Sequence, residues 1–168
     1  MSAAVSAIAR IATALLVTAC SKGNQTPMPP ATMPPPPTSA FTVTFGENPV
    51  PFRSTGCNGS IPQGWYTTAR IQETAGVSFT PATLTQKVDG TAAAFLTESF
   101  ASRFGACSGV AFTPGTIAAN GAACGIVGVC TSDTYRSFQF EVSGTDANGR
   151  AITFASPLLQ LAGAAGTP

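Results

Sequence analysis

The chain has 168 residues, of which 44% are hydrophobic and only 9% are charged; its 8 Lys and Arg residues almost balance 7 Asp and Glu residues. Because soluble domains usually contain about 25% charged residues, the polar surface must here be formed by Thr, Ser, Gln, Asn and Gly, which favours β-structure over solvated helices. No basic stripe is present, which argues against nucleic acid as a partner. The absence of histidine excludes Ser-His-Asp and Cys-His catalysis and removes the commonest zinc ligand.

The N-terminal segment predicts export. Arg10 precedes a short apolar run, residues 11–17. Seven residues are too few to cross a bilayer core of about 30 Å, but they fit the apolar region of a secretory signal. We therefore predict a signal peptide at residues 1–19.

The end of this segment, Val17-Thr18-Ala19-Cys20, resembles the lipobox of bacterial lipoproteins. The resemblance implies cleavage before Cys20 and lipid attachment to it, so that the lipid joins the chain to a membrane. Ordinary cleavage after Ala19 is the alternative. The five cysteines favour lipidation, since four would remain to form disulfides. Ser21 follows, and by the sorting rule of enteric lipoproteins it indicates the outer membrane, with the domain either periplasmic or surface-exposed.

Residues 20–40 form a predicted tether. Seven prolines lie between Pro27 and Pro37. Proline lacks an amide donor and fixes φ, so this stretch favours an extended polyproline II conformation rather than a helix or a sheet. At ~3.1 Å per residue, its proline-rich part reaches about 50 Å.

From Phe41 the apolar residues recur with a period of two, which predicts strands. The prolines around Val50 confine that segment to a sheet edge. Further alternation predicts strands around Trp65, Phe79 to Val88 and Phe138 to Val142, and the turn at residues 145–149 predicts a hairpin to Phe154. This rhythm predicts one β-domain at residues 41–161, followed by a flexible tail at residues 162–168.

Two segments in the middle of the chain are ambiguous. Residues 91–104 place Leu96, Phe100 and Phe104 at helical spacing, which favours a short crossover helix; a poorly alternating strand is the alternative. Residues 106–129 are rich in Gly and Ala, and we expect loops around one or two short strands there.

The C-terminal hairpin resembles the last two strands of immunoglobulin-like domains of bacterial surface proteins, on residues 132–135, 138–144 and 146–149. Tyr135 would then occupy the tyrosine corner of that fold, and Cys57, Trp65 and Cys130 follow its Cys–Trp–Cys order. The resemblance implies an all-β fold, an antiparallel immunoglobulin-like β-sandwich.

The four remaining cysteines allow three pairings. The resemblance implies Cys57–Cys130, because the strands that follow these residues would face each other across the core. Cys107–Cys124 would then clasp the Gly- and Ala-rich loop. The main alternative pairs Cys124 with Cys130 and Cys57 with Cys107.

No catalytic cluster is visible in the sequence. The seven carboxylates are isolated from one another: Glu47, Glu73, Asp89, Glu98, Asp133, Glu141 and Asp146. The cysteine spacings lack Cys-x-x-Cys, and we expect no metal and no cofactor. We expect a non-catalytic structural or interaction module that binds an envelope protein or a glycan. The alternatives are a carbohydrate-binding module, in which Trp65 or Tyr66 stacks on a sugar, and an envelope hydrolase with paired carboxylates.

Overall fold

The computed structural model describes residues 34–57, 61–109 and 113–163. It contains ten strands, numbered in chain order, and one 3₁₀ turn at Phe100–Ser102. The strands are β1 (Phe41–Phe45), β2 (Val50–Pro51), β3 (Gly64–Glu73), β4 (Phe79–Val88), β5 (Thr91–Ser99), β6 (Phe104–Ala106), β7 (Ala122–Cys130), β8 (Ser137–Asp146), β9 (Ala151–Ala155) and β10 (Leu159–Ala162). The all-β prediction is confirmed.

The strands form two sheets. Sheet 1 has the order β1-β3-β7-β6, and sheet 2 has the order β2-β10-β8-β4-β5, with β9 paired to β8 beside β10. All pairs are antiparallel except β2 with β10. When the strands are lettered along the chain, β1, β3, β7 and β6 correspond to strands A, B, E and D of one sheet of an immunoglobulin-like sandwich. In the other sheet, β10, β8, β4 and β5 correspond to G, F, C and C′. The predicted immunoglobulin-like β-sandwich is the fold of this domain.

We name the two ends of the sandwich by their turns. The near end contains the β3–β4 and β8–β9 turns, and the chain enters β1 there, as shown by the bond from the Thr74 N–H to the Ala40 carbonyl. The far end contains the β4–β5 turn and the start of β3, where Gly64 pairs with Cys130.

The core between the sheets is aromatic. Its fully buried large side chains are Trp65, Phe79, Phe100, Phe138 and Phe140, together with Ile71, Leu84, Ile117 and Leu159. The alternation expected around Trp65 and Phe138 is confirmed, because the odd positions of β3 and the even positions of β8 point inward. The prolines around Val50 also have the expected effect, since β2 is an edge strand.

The prediction of a crossover helix in residues 91–104 is wrong. Residues 91–99 form β5, which pairs with β4, and only Phe100–Ser102 is helical. The reason lies in the preceding turn, where Asp89 and Gly90 adopt φ values of 48° and 78°. Two successive residues with positive φ form the hairpin turn whose twist returns the chain alongside the strand it has just left. The helical spacing has another cause: the rings of Phe100 and Phe104 stack with their centroids 4.7 Å apart.

Three further expectations change in detail. The Gly- and Ala-rich segment contains β7, a nine-residue strand in the middle of sheet 1. The predicted tail begins too early, because Ala162 belongs to β10 and its carbonyl accepts bonds from the Phe52 N–H and the Trp65 indole, both of 3.0 Å. The prediction of a tyrosine corner at Tyr135 is wrong: within the described residues, its hydroxyl lies 3.4 Å from the Asp133 carboxylate, two residues away, and has no backbone acceptor.

Candidate functional site

The outer face of sheet 1, formed by β1, β3 and β7, carries two concave surfaces. Because side chains alternate along β3, Tyr66, Thr68 and Arg70 point outward while Trp65, Ala69 and Ile71 enter the core. Ile126 on β7 pairs with Thr68. Ile126 is 56% exposed, the highest value among the large apolar residues whose burial the structure describes.

Two shallow, open grooves cross this face and share Gly46, Thr68 and Ile126. The larger has a volume of about 500 Å³ and includes Arg70; the smaller has about 320 Å³ and includes Tyr66. Gly46 lines both grooves, and a Cβ atom added there would overlap the Thr68 hydroxyl. The face can therefore accept an extended ligand, but it does not enclose one.

Tyr66, one of the two aromatic residues considered for sugar stacking, is held in place. Its hydroxyl donates to the Thr55 carbonyl over 2.9 Å, and the Arg53 guanidinium lies 5.2 Å from the ring centroid. Arg53 is in turn ion-paired with Glu47. Trp65 is completely buried. One face of the Tyr66 ring is therefore covered by a cation, and Trp65 is core.

The structure contains two disulfides, Cys57–Cys130 and Cys107–Cys124, with Cα–Cα distances of 5.7 and 4.8 Å. This is the nested pairing expected from the sequence, and the strands that follow Cys57 and Cys130, β3 and β8, lie in opposite sheets as expected. The bridge itself nevertheless lies on one side of the core. Cys130 ends β7, which is the neighbour of β3 in the same sheet. Cys57–Cys130 therefore joins the loop before β3 to the end of β7 at the far end, and does not cross the core. Cys20 lies outside the described residues.

Glu73 is the most deeply buried carboxylate, with 1% of its surface exposed. Its two oxygens accept backbone N–H bonds from Ala40, Ala75, Gly76 and Asn120, at 3.4, 2.8, 2.9 and 2.8 Å. Burial by itself raises the pKa of this carboxyl, but the bonds from Asn120, Ala75 and Ala40 outweigh it and hold the pKa below its ordinary value. Glu73 is an acceptor for three chain segments at the near end, which is a structural task.

The other carboxylates also have local partners. Glu98 accepts from Gln86, Ser102 and Arg103, and Glu141 is ion-paired with Lys87. Asp89 accepts from the backbone N–H groups of Arg136 and Ser137, and these bonds lower its pKa. Asp133 lies beside the Tyr135 hydroxyl, where burial and this carboxylate raise the pKa of the tyrosine. Asp146 caps the β8–β9 turn. Of the seven, only Glu47 lines either groove.

Sequence reasoning missed one buried polar contact across the core. Gln86 on β4 is fully buried; its amide donates to Glu98 over 3.0 Å, and its oxygen faces the Gly128 N–H on β7 at 3.5 Å. Gln86 thus connects sheet 2 to sheet 1. The alternation in residues 84–88 places this side chain inward, but nothing in the sequence marks its partners.

The described residues contain no group of three or more Cys, Asp or Glu side chains placed to hold a metal ion. Over the same ranges, no helix has the length and apolar character needed to cross a membrane. The assignment of the fold rests on strand order and pairing alone, since the chain matches no family model, no curated protein and no solved structure.

Proposed function

We propose that this chain is a lipoprotein of the bacterial cell envelope, anchored by a lipid on Cys20, that presents a non-catalytic immunoglobulin-like module to an envelope partner. The observation that carries the proposal is cysteine parity. Of five cysteines, four are joined in two disulfides. An oxidised domain is typical of exported proteins, and a fifth cysteine without a partner needs a separate role. Lipid attachment supplies that role, and Ser21 favours the outer membrane.

The proposed role of the domain is interaction rather than catalysis. Each of the seven acids has a local partner, and the outer face of sheet 1 offers grooves without a second carboxylate beside Glu47. The paired acids that the hydrolase alternative requires receive no support from the grooves. A broad screen with ester, peptide and glycoside substrates tests this. We expect no turnover above background, and an activity that Glu47→Gln abolishes would contradict the proposal.

Phase partitioning with a nonionic detergent tests the anchor. We expect the wild-type chain in the detergent phase, and Cys20→Ser in the aqueous phase with its signal uncleaved. Ser21→Ala is the control and should partition like the wild type. A processed wild-type chain whose intact mass shows an unmodified Cys20 would refute lipid attachment.

A carbohydrate partner is a second candidate, favoured by the position of Tyr66, Thr68 and Arg70 along one groove-bearing face. Hydroxyl and guanidinium groups can bond to sugar hydroxyls, while the uncovered face of the Tyr66 ring offers a small apolar surface. Binding to envelope polysaccharides by the detached chain tests this. Loss of binding in Thr68→Val and Arg70→Ala, with Thr153→Val on β9 as control, would support a glycan over a protein partner.

A further inference from the structure

The end of the proline-rich segment contacts the β8–β9 turn through side-chain donors. The amide of Asn148 donates to the carbonyl of Pro37 over 2.9 Å. The guanidinium of Arg150 donates to the carbonyl of Pro36 over 3.0 Å and to the hydroxyl of Thr38 over 2.5 Å. Two side chains of one turn therefore hold three successive residues of the tether.

The turn that carries these donors is itself fixed. Asp146 is 4% exposed, and its Oδ1 atom accepts the backbone N–H groups of Asn148 and Arg150 over 2.8 and 2.9 Å. Gly149 adopts a φ of 76°, which glycine tolerates without strain. The Ala147 N–H donates to the Ser78 carbonyl in the neighbouring turn. Asn148 and Arg150 thus project from a turn with little freedom to move.

The chemistry of the two surfaces is complementary. Proline has no N–H group, so a polyproline backbone offers only carbonyl acceptors to a partner. Its φ is fixed before binding, so it loses little conformational entropy when it docks. Asn148 and Arg150 supply donors, and the three contacted atoms are all able to accept.

We propose that the β8–β9 turn is a binding site for polyproline backbone, and that it clamps the last prolines of the chain's own tether. The clamp is continuous with the fold. Immediately after it, the Ser39 hydroxyl donates to the Val77 carbonyl, and Ala40 joins the bonds around Glu73. The folded domain thus begins at about Pro36, about five residues earlier than the sequence pattern predicts.

Backbone order at Thr38 tests the clamp. The experiment uses ¹⁵N relaxation on the whole chain carrying Cys20→Ser, so that it does not depend on the lipid. We expect an N–H order parameter of about 0.85 at Thr38, the value of rigid backbone, and a fall below about 0.6 in the double variant Asn148→Ala/Arg150→Ala. Arg136→Ala, at the far end, is the control and should leave Thr38 rigid.

Two further variants distinguish a clamp from a general loosening of the turn. Arg150→Gln keeps one amide donor and should give an intermediate order parameter at Thr38. Pro36→Ala/Pro37→Ala keeps both carbonyls but frees φ, and should also lower the value if the site recognises polyproline. A flexible Thr38 in the reference chain, or an unchanged value in the double variant while the β3 amide signals stay in place, would overturn the proposal.

The clamp and the anchor are tested separately. If Cys20 is lipidated but Thr38 is flexible, only the clamp is refuted. If Cys20 is not lipidated, the relaxation experiment still decides whether the turn holds the prolines.

Discussion

The two ends of the sandwich are held together by different chemistry. At the near end, the segments before β1, after β3 and before β7 meet at one buried carboxylate, Glu73. At the far end, the loop before β3 is joined to β7 by Cys57–Cys130, and the Trp65 indole is bonded to the last strand. The near end thus depends on a buried charge, and the loop before β3 at the far end depends on an oxidised bond. Acid should weaken the contacts of Glu73 at the near end, whereas reductant should release the far-end loop as well as the Cys107–Cys124 bridge.

The largest expected effect comes from removing the far-end bridge. In the chain-entropy model, a loop closed by residues 73 positions apart is worth about 4 kcal/mol, and one 17 apart about 3 kcal/mol. We expect Cys57→Ser/Cys130→Ser to lower the free energy of unfolding by about 4 kcal/mol, measured by urea titration. Cys107→Ser/Cys124→Ser is the matched comparison. A larger loss from the shorter loop would show that loop closure does not govern the far end.

The second-largest expected effect comes from removing the charge of Glu73 at the near end. Glu73→Gln keeps one acceptor oxygen but removes the charge that four N–H groups share, and bonds to charged groups are worth about 1.5–3 kcal/mol each. We expect a loss of about 2 kcal/mol in the same urea titration. Glu141→Gln, which breaks the partly exposed pair with Lys87, should cost no more than about 0.5 kcal/mol. Equal losses of stability in the two variants would mean that the buried Glu73 carboxylate stabilises the fold no more than the partly exposed ion pair does.

A smaller effect isolates backbone conformation at the far end. Gly90 has a φ of 78°, and a Cβ atom added to it would meet nothing within 4 Å. Gly90→Ala should therefore cost about 1 kcal/mol through strain alone. Gly105→Ala, which also meets nothing within 4 Å and has no positive φ to maintain, should cost nothing. Thermal unfolding of the two variants gives the difference, and equal melting temperatures would contradict the assigned turn.

The smallest expected effect is the pH dependence of the stability that Glu73 gives to the near end. Folding lowers the pKa of Glu73. The stabilisation that its carboxylate provides is therefore fully present above the ordinary pKa of 4.5, and it is lost as the pH falls through the lower pKa of the folded state. The stability difference between wild type and Glu73→Gln should therefore narrow below about pH 4.5. Asp89 titrates in the same direction but is present in both proteins. A difference that widens in acid would reverse the assigned sign.

Most of the fold could be predicted, because the alternation of buried and exposed residues is a local property of each strand. Trp65 and Phe138 point inward as that pattern requires. The apolar spacing of residues 91–104 predicts a helix in place of β5 because that spacing has two sources. Phe100 and Phe104 pack on each other beyond the strand, whereas the strand itself is imposed by pairing with β4. Long-range pairing can override local periodicity, and the sequence alone does not display it.

The surface features were harder to predict because they depend on which strands become neighbours. Cys57–Cys130 does not cross the core, although β3 and β8 do face each other there, because Cys130 ends β7, the neighbour of β3 in sheet 1. Asn148 lies in the turn predicted at residues 145–149, but its amide and the Arg150 guanidinium also reach residues more than 110 positions earlier in the chain. The tether and that turn become neighbours only when the domain folds.

The position of Cys57 has a mechanical consequence. A pull applied through the tether would load β1 along its length and, if β1 and β2 came away from their sheets, would extend the chain only as far as Cys57. Beyond that residue the load passes through the disulfide to β7, in the middle of sheet 1. About 20 residues, on the order of 70 Å at ~3.4 Å per residue, could be drawn out while the rest of the sandwich stays folded. The bridge would act as a stop that limits how far the domain yields under force.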